Sequence, residues 1–116
     1  MNKYRNVKTE VDGIVFDSKR EAARYGELKL LERADEIAEL ELQPVYELKI
    51  NGHKICTYRG DFRYFQYSTP KAKRADGDYA RYEVVEDVKS PVTKTPVYRL
   101  KKKLIAALYG IEVKEV

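Results

Sequence analysis

The chain has 116 residues, of which 43% are hydrophobic and 36% charged, with a formal net charge of +4. That length suits one domain with its own core, and that composition excludes a disordered chain. A lone Cys56 excludes an internal disulfide, and a lone His53 excludes a site built on several histidine ligands or on a Ser-His-Asp triad.

Residues 1–10 are polar and basic, with Lys3, Arg5 and Lys8, and read as a loose arm. The opening run lacks the apolar segment of a signal peptide, and no stretch nears the roughly 18 apolar residues of a membrane span. No membrane association and a cytoplasmic location are therefore expected. Val11 to Phe16 reads as a short strand with Asp12-Gly13 as a turn. Ser18 with Glu21 three residues on is a capping box, opening a helix to about Arg33 with Ala22, Tyr25, Leu28 and Leu31 near helical spacing. Gly26 inside it suggests close packing.

Ile37 to Ile50 has an extended pattern that Pro44 splits or confines to an edge. Asn51-Gly52 predicts a hairpin turn with His53 exposed in it. Ile55 to Tyr67 reads as one long aromatic-rich strand. A loop with Lys71, Lys73 and Arg74 follows, and then a strand from Tyr79 to Lys89 supported by Val84, Val85 and Val88. Thr95-Pro96 opens a second helix, with Val97, Leu100, Leu104, Ala107 and Leu108 as its apolar face and Gly110 closing it. Ile111 to Val116 alternates as a final strand. The order is α-β-β-β-α-β, an α+β (α/β) domain around a mixed sheet, with residues 1–116 as one unit.

Within the last long strand Asp87 and Lys89 are two apart and share a face. Such a pair on an apolar strand is costly to bury without a task or a partner. Asp61 is a further acid in an apolar-aromatic run, and hairpin pairing of the two strands would bring Asp61 and Asp87 to one metal ion. Carboxylate oxygens suit Mg²⁺, which activates water and stabilises phosphoryl charge, while an ammonium orients water or neutralises phosphate.

Asp61 followed by Asp87-Val88-Lys89 resembles the PD-(D/E)XK nuclease superfamily, over nearly the whole chain and in the same order of elements. Phe16-Asp17-Ser18-Lys19-Arg20-Glu21 looks like the first-helix motif of its members, and Leu42-Gln43-Pro44 is similar to the same subset. More narrowly, the sequence resembles a short phage-encoded family of that superfamily whose function is unknown. Gly60 departs from the pattern, standing where the superfamily's name has a proline.

The resemblance implies a restriction-endonuclease-like core and a metal-dependent DNA endonuclease of phage recombination, replication or repair, with a Holliday junction or flap among its candidate substrates. Its catalytic set would be Glu21, Asp61, Asp87 and Lys89, with Glu21, Asp61 and Asp87 holding Mg²⁺ or Mn²⁺ and Gln43 as an accessory. Lys94, Arg99 and Lys102 on the second helix would contact DNA phosphates, and two copies would pair as a homodimer. The host-cell cytoplasm would be its location.

Plainer readings stand beside these. Glu21 is also explained by the capping box alone, and Asp61 by pairing with Arg59 or Arg63. Asp87 and Lys89 also fit a solvated charge ladder with Glu83 and Arg81. Glu86 falls on the opposite face from Asp87 and reads as solvated. The loop of Lys71, Lys73 and Arg74 fits a DNA clamp or simple solubility equally. At the level of function the rivals are a catalytically inactive nucleic-acid-binding module and a structural protein of the phage particle.

Overall fold

Asp12 and Gly13 both take left-handed backbone, with φ of 52° and 75°. Two such residues give the turn whose twist matches a right-handed hairpin. The single short strand expected over Val11 to Phe16 is therefore two: β1 (Thr9–Val11) pairs antiparallel with β2 (Ile14–Phe16). The computed structural model describes residues 7–90 and 93–116. Positions 1–6 of the expected basic arm lie outside the described residues, and Thr9 and Glu10 belong to β1.

Helix α1 (Lys19–Arg33) starts where the capping box places it, with Ser18 Oγ accepting from the Glu21 amide at 3.1 Å. It buries Ala22, Tyr25 and Leu28, and Phe16 lies against Tyr25 with ring centroids 5.0 Å apart. The packing role expected of Gly26 is not found: a Cβ there would meet nothing within 4 Å.

Pro44 divides the next extended stretch into β3 (Ile37–Leu42) and β4 (Val45–Ile50). The Asn51-Gly52 turn returns the chain as β5 (His53–Arg59), with exposed His53 as its first residue. The long strand expected over Ile55 to Tyr67 is broken, since β6 (Phe62–Tyr67) begins only after Gly60-Asp61. The break has a steric basis at Gly60. A Cβ there would stand 3.0 Å from Val85 Cγ1 and 3.4 Å from Pro44 Cγ, so a side chain at this passage would force its neighbours to give way. β7 is Arg81–Asp87, so Lys89 lies just past its end rather than within it. β8 is only Lys114–Glu115.

β3, β6, β7 and β8 form the main sheet in that order, antiparallel except for parallel β7–β8, while β4 and β5 make a separate hairpin. The architecture is mixed α+β, and without the two hairpins its order is the expected α-β-β-β-α-β.

Two clusters hold it together. Phe16, Ala22, Tyr25, Leu28, Ile37, Phe62 and Tyr64 fill the space between α1 and the sheet. Leu48, Tyr58, Val85, Tyr98, Ile105 and Val113 fill the space among the hairpin, the sheet and α2 (Pro96–Tyr109). Fully buried Leu28, Leu48 and Ile105 each contribute about 1.5–3 kcal/mol of transfer free energy. Thr95 Oγ1 accepts from the Tyr98 amide at 3.1 Å, and Gly110 closes α2 at φ 68°. Only Leu104 of the expected apolar face of α2 packs against the core: Tyr98 and Ile105 are the residues buried, whereas Val97, Leu100, Ala107 and Leu108 are exposed.

Glu86 also departs from expectation. It is 0% exposed, because α1 covers that face of β7. Arg24 answers it with two hydrogen bonds of 2.7 and 2.6 Å, and the Tyr64 hydroxyl donates a third. In the basic loop, Arg74 bonds Asp35 Oδ2 at 3.0 Å and its guanidinium lies 3.9 Å from the Tyr67 ring centroid, while Lys71 reaches Asp35 at 2.9 Å. Those two cations are tied to the protein itself. Among the described residues, no helix is long and apolar enough to cross a membrane.

Candidate active site

Asp61 sits in the break between β5 and β6, where its backbone is held from both sides. Its amide donates to Glu86 O and its carbonyl accepts from the Gln43 amide, both at 2.9 Å. Its side chain turns to the end of β7, where Oδ2 accepts from the Val88 amide at 2.6 Å. Since Phe62 is in register with Glu86, Asp61 lies beside Asp87, close enough for its charge to raise the Asp87 carboxyl. The plainer pairing of Asp61 with Arg63 is not found: Arg63 binds Glu83 at 2.6 Å and Glu41 at 3.1 Å.

Asp87 is 2% exposed. Tyr58 donates its hydroxyl to Asp87 Oδ2, a contact the sequence reading missed. An aromatic in a strand reads as core, and Tyr58 is core by its ring. Only the placing of the hairpin beside the end of β7 reveals its polar end.

Lys89 is anchored by its amide to Val116 O at 3.2 Å, and its ammonium lies 4.5 Å from the Tyr98 ring centroid. The Tyr98 hydroxyl is in turn fixed to Glu115 at 2.8 Å. Glu21, in the first turn of α1, lines a cleft with Asp61 and Lys89. Gln43 is an exposed residue at φ 50° and lines an adjoining recess with Glu21 and Asp61.

The electrostatics follow from this crowding. Burial, then repulsion from Asp61 and Asp17, raises the Glu21 carboxyl to about 7 against a backbone hydrogen bond from Asp17 and the Lys89 charge. Burial also raises Asp87 to about 7, with Asp61 adding to the rise and the Tyr58 hydroxyl and Lys89 opposing it. Asp61 is raised as well, mainly by burial, despite the Val88 amide. The Lys89 charge opposes the rise at all three acids. Clustered, desolvated carboxyls with raised pKa values beside a lysine are a common mark of functional sites.

These oxygen donors fit a hard divalent cation, whose charge would offset the mutual repulsion of Asp61 and Asp87. Among the described residues, no three His, Cys, Asp or Glu side chains are drawn together as a ready cage. The arrangement is a close pair, with Glu21 across the cleft.

Lys94 and Lys102 both pair with Glu115, at 3.2 and 3.6 Å, and with Arg99 they line a different groove on α2 of about 530 Å³. None of the four catalytic candidates lines that groove.

Compared with known families, residues 1–115 match the model of a family described as protein of unknown function (DUF1064). No curated protein and no solved structure matches the chain.

Proposed function

The chain belongs to that family, and from this premise we propose that it is a metal-dependent deoxyribonuclease of the PD-(D/E)XK type. The observation that carries the reading is the close pair of Asp61 and Asp87, set side by side by the break before β6 and the end of β7, with Glu21 and Lys89 lining the same cleft as Asp61.

Asp61 and Asp87 would hold Mg²⁺ or Mn²⁺, with Glu21 reaching it directly or through water. When bound, the metal supplies a water of lowered pKa and a positive charge for the phosphoryl oxygens. The chain's own groups do the rest. The Val88 amide and the Tyr58 hydroxyl fix the orientation of the two carboxyls. Lys89, steadied on the Tyr98 ring, places its ammonium to neutralise a phosphate oxygen or to orient the attacking water. Glu21 carries a carboxyl of raised pKa that can take a proton near neutral pH.

A rival reading draws on the pair being already satisfied within the protein by the Val88 amide and the Tyr58 hydroxyl. It makes the chain a nucleic-acid-binding module of the same fold without catalysis. Incubation with supercoiled, linear and branched DNA in Mg²⁺, Mn²⁺ or EDTA separates the two. Cleavage with either metal and none in EDTA is expected; DNA binding without cleavage in any metal would install the rival. Pairing of two copies belongs to the same proposal and is supported by the apolar surface that α2 exposes at Val97, Leu100 and Leu108. Sedimentation analysis tests it, with a dimer the expected species.

A further inference from the structure

The carboxyl pair opens on two grooves that share Lys89. One, between α1 and the end of β7, is lined by Ser18, Arg20, Glu21, Asp61 and Lys89. The other, between β5 and α2, is lined by Thr57, Arg59, Asp87, Lys89, Thr95 and Lys101. Each brings cations to the edge of the same acidic centre: Arg20 on one side, Arg59 and Lys101 on the other.

Much of the basic surface is already engaged. Lys71 and Arg74 bind Asp35, Arg63 binds Glu41 and Glu83, Arg81 binds Glu39, and Lys94 and Lys102 bind Glu115. Among the described residues, Arg20, Arg59 and Lys101 take part in no ion pair of this kind. An arginine beside a cluster of acids, yet paired with none of them, keeps its donor fork for an outside anion. The hydroxyls agree. Ser18 and Thr95 accept from the Glu21 and Tyr98 amides at 3.1 Å, which leaves each O–H proton to donate outward.

We infer that the two grooves are one track for the phosphate backbone of a DNA strand, held by Arg59 and Lys101 on one side of the carboxyl pair and by Arg20 on the other. This rests on the nuclease reading for what happens between them. It moves the main phosphate contacts from the α2 groove of Lys94, Arg99 and Lys102 to the rim of the acidic centre. It also answers a physical difficulty, since acids repel a polyanion and flanking cations must offset them at short range. A strand gripped on both sides of the centre holds its phosphodiester over Asp61 and Asp87 with no further machinery.

The test is fluorescence anisotropy with a labelled 20-base-pair duplex in EDTA, over a series of salt concentrations. Two double variants alter net charge equally: Arg59→Glu with Lys101→Glu, and Arg99→Glu with Lys103→Glu. The first should weaken binding at least about ten-fold and lower the salt slope by about two, one for each phosphate contact. The second should lose clearly less, and Arg20→Glu alone should lower the slope by about one. Arg59→Lys should restore part of the loss. Unchanged melting temperatures show that the variants fold, as surface positions allow.

Equal or greater loss in the Arg99 and Lys103 pair overturns the inference. So does unchanged binding in the first pair, or competition by polyglutamate as strong as by DNA. Cleavage in Mg²⁺ judges the other reading separately. A chain that binds through these cations but never cuts keeps the track and loses the nuclease. A chain whose first double variant binds and cuts like the unaltered protein keeps the nuclease and loses the track.

Discussion

Arg24 grips Glu86 through two hydrogen bonds, 2.7 and 2.6 Å long, across the packed interface of α1 and β7. Glu21 lies three positions before Arg24, on the same side of the helix, and Asp87 immediately follows Glu86. The clamp therefore fixes the helix that carries one acid against the strand that carries another.

Removing one side of this pair leaves a buried charge alone. Arg24→Leu should cost about 3–5 kcal/mol in a urea titration, and Arg24→Lys should fall between it and the parent because lysine lacks the fork. Replacing both Arg24 and Glu86 by leucine should cost much less than Arg24→Leu alone. A single Arg24→Leu variant of normal stability would show that the clamp contributes nothing.

The second prediction concerns pH. Asp87 and Glu21 titrate near 7 in the folded protein, against 3.8 and 4.5 for the free groups. A carboxyl raised by folding favours the folded state while protonated, so this stabilisation is complete below the free values and lost as pH rises through about 7. Glu32 and Glu115 are lowered, so their contribution is present above the free value and lost on acidification. Stability without metal should therefore peak on the acid side of neutrality and fall from about pH 6 to about pH 8. Added Mg²⁺ should raise the melting temperature more at the higher pH, where it meets ionised carboxylates. A profile that rises from pH 6 to 8 without metal would contradict this.

A third prediction separates ligands from the cation. Asp61→Asn and Asp87→Asn should abolish both cleavage and metal binding. Lys89→Ala should still bind metal and DNA but not cut. Glu21→Gln should fall between, because the Ser18 cap uses the Glu21 backbone amide and survives the change. Wild-type rates for Asp61→Asn or Lys89→Ala would place the chemistry elsewhere.

Tyr58→Phe removes only the hydroxyl that holds Asp87. That hydrogen bond lowers the Asp87 carboxyl, so its loss should move the acid limb of the pH–rate profile upward. A structural role alone would reduce the rate equally at every pH.

Gly60→Ala should destabilise by about 1–3 kcal/mol, since its Cβ would press on Val85 and Pro44 beside the Asp61 break. Combined with Val85→Ala, which makes room at the 3.0 Å contact, it should cost less than the two single changes summed. A neutral Gly60→Ala would mean that the break is set by the Asp61 contacts instead.

What could be read from the sequence was what neighbours in the chain decide. Ser18 with Glu21, Thr95 with Pro96, and Gly110 each fix a helix end within a few residues, and Pro44 and Asn51-Gly52 divide strands locally. The carboxyl pair was legible because strand order alone puts Asp61 beside Asp87. What failed depended on a distant covering element. Glu86 reads as solvated until α1 lies over it. Val97 and Leu100 read as core until the hairpin and sheet meet the Tyr98 side of α2 instead. The Gly60 break needs Val85, twenty-five positions away, to explain it.

Successive residues of β7 belong to different halves of the molecule: Val84 packs with the α1 cluster, and Val85 with the α2 cluster. The strand is a party wall, and the acidic centre stands where the wall ends. If only the α1 half has assembled, Glu21 and Asp61 have their supports but Asp87 lacks Tyr58, and Lys89 lacks the ring beneath it. If only the α2 half has assembled, Asp87 is oriented with nothing opposite. Neither half alone carries a finished centre, so the full set of side chains meets only in the complete fold.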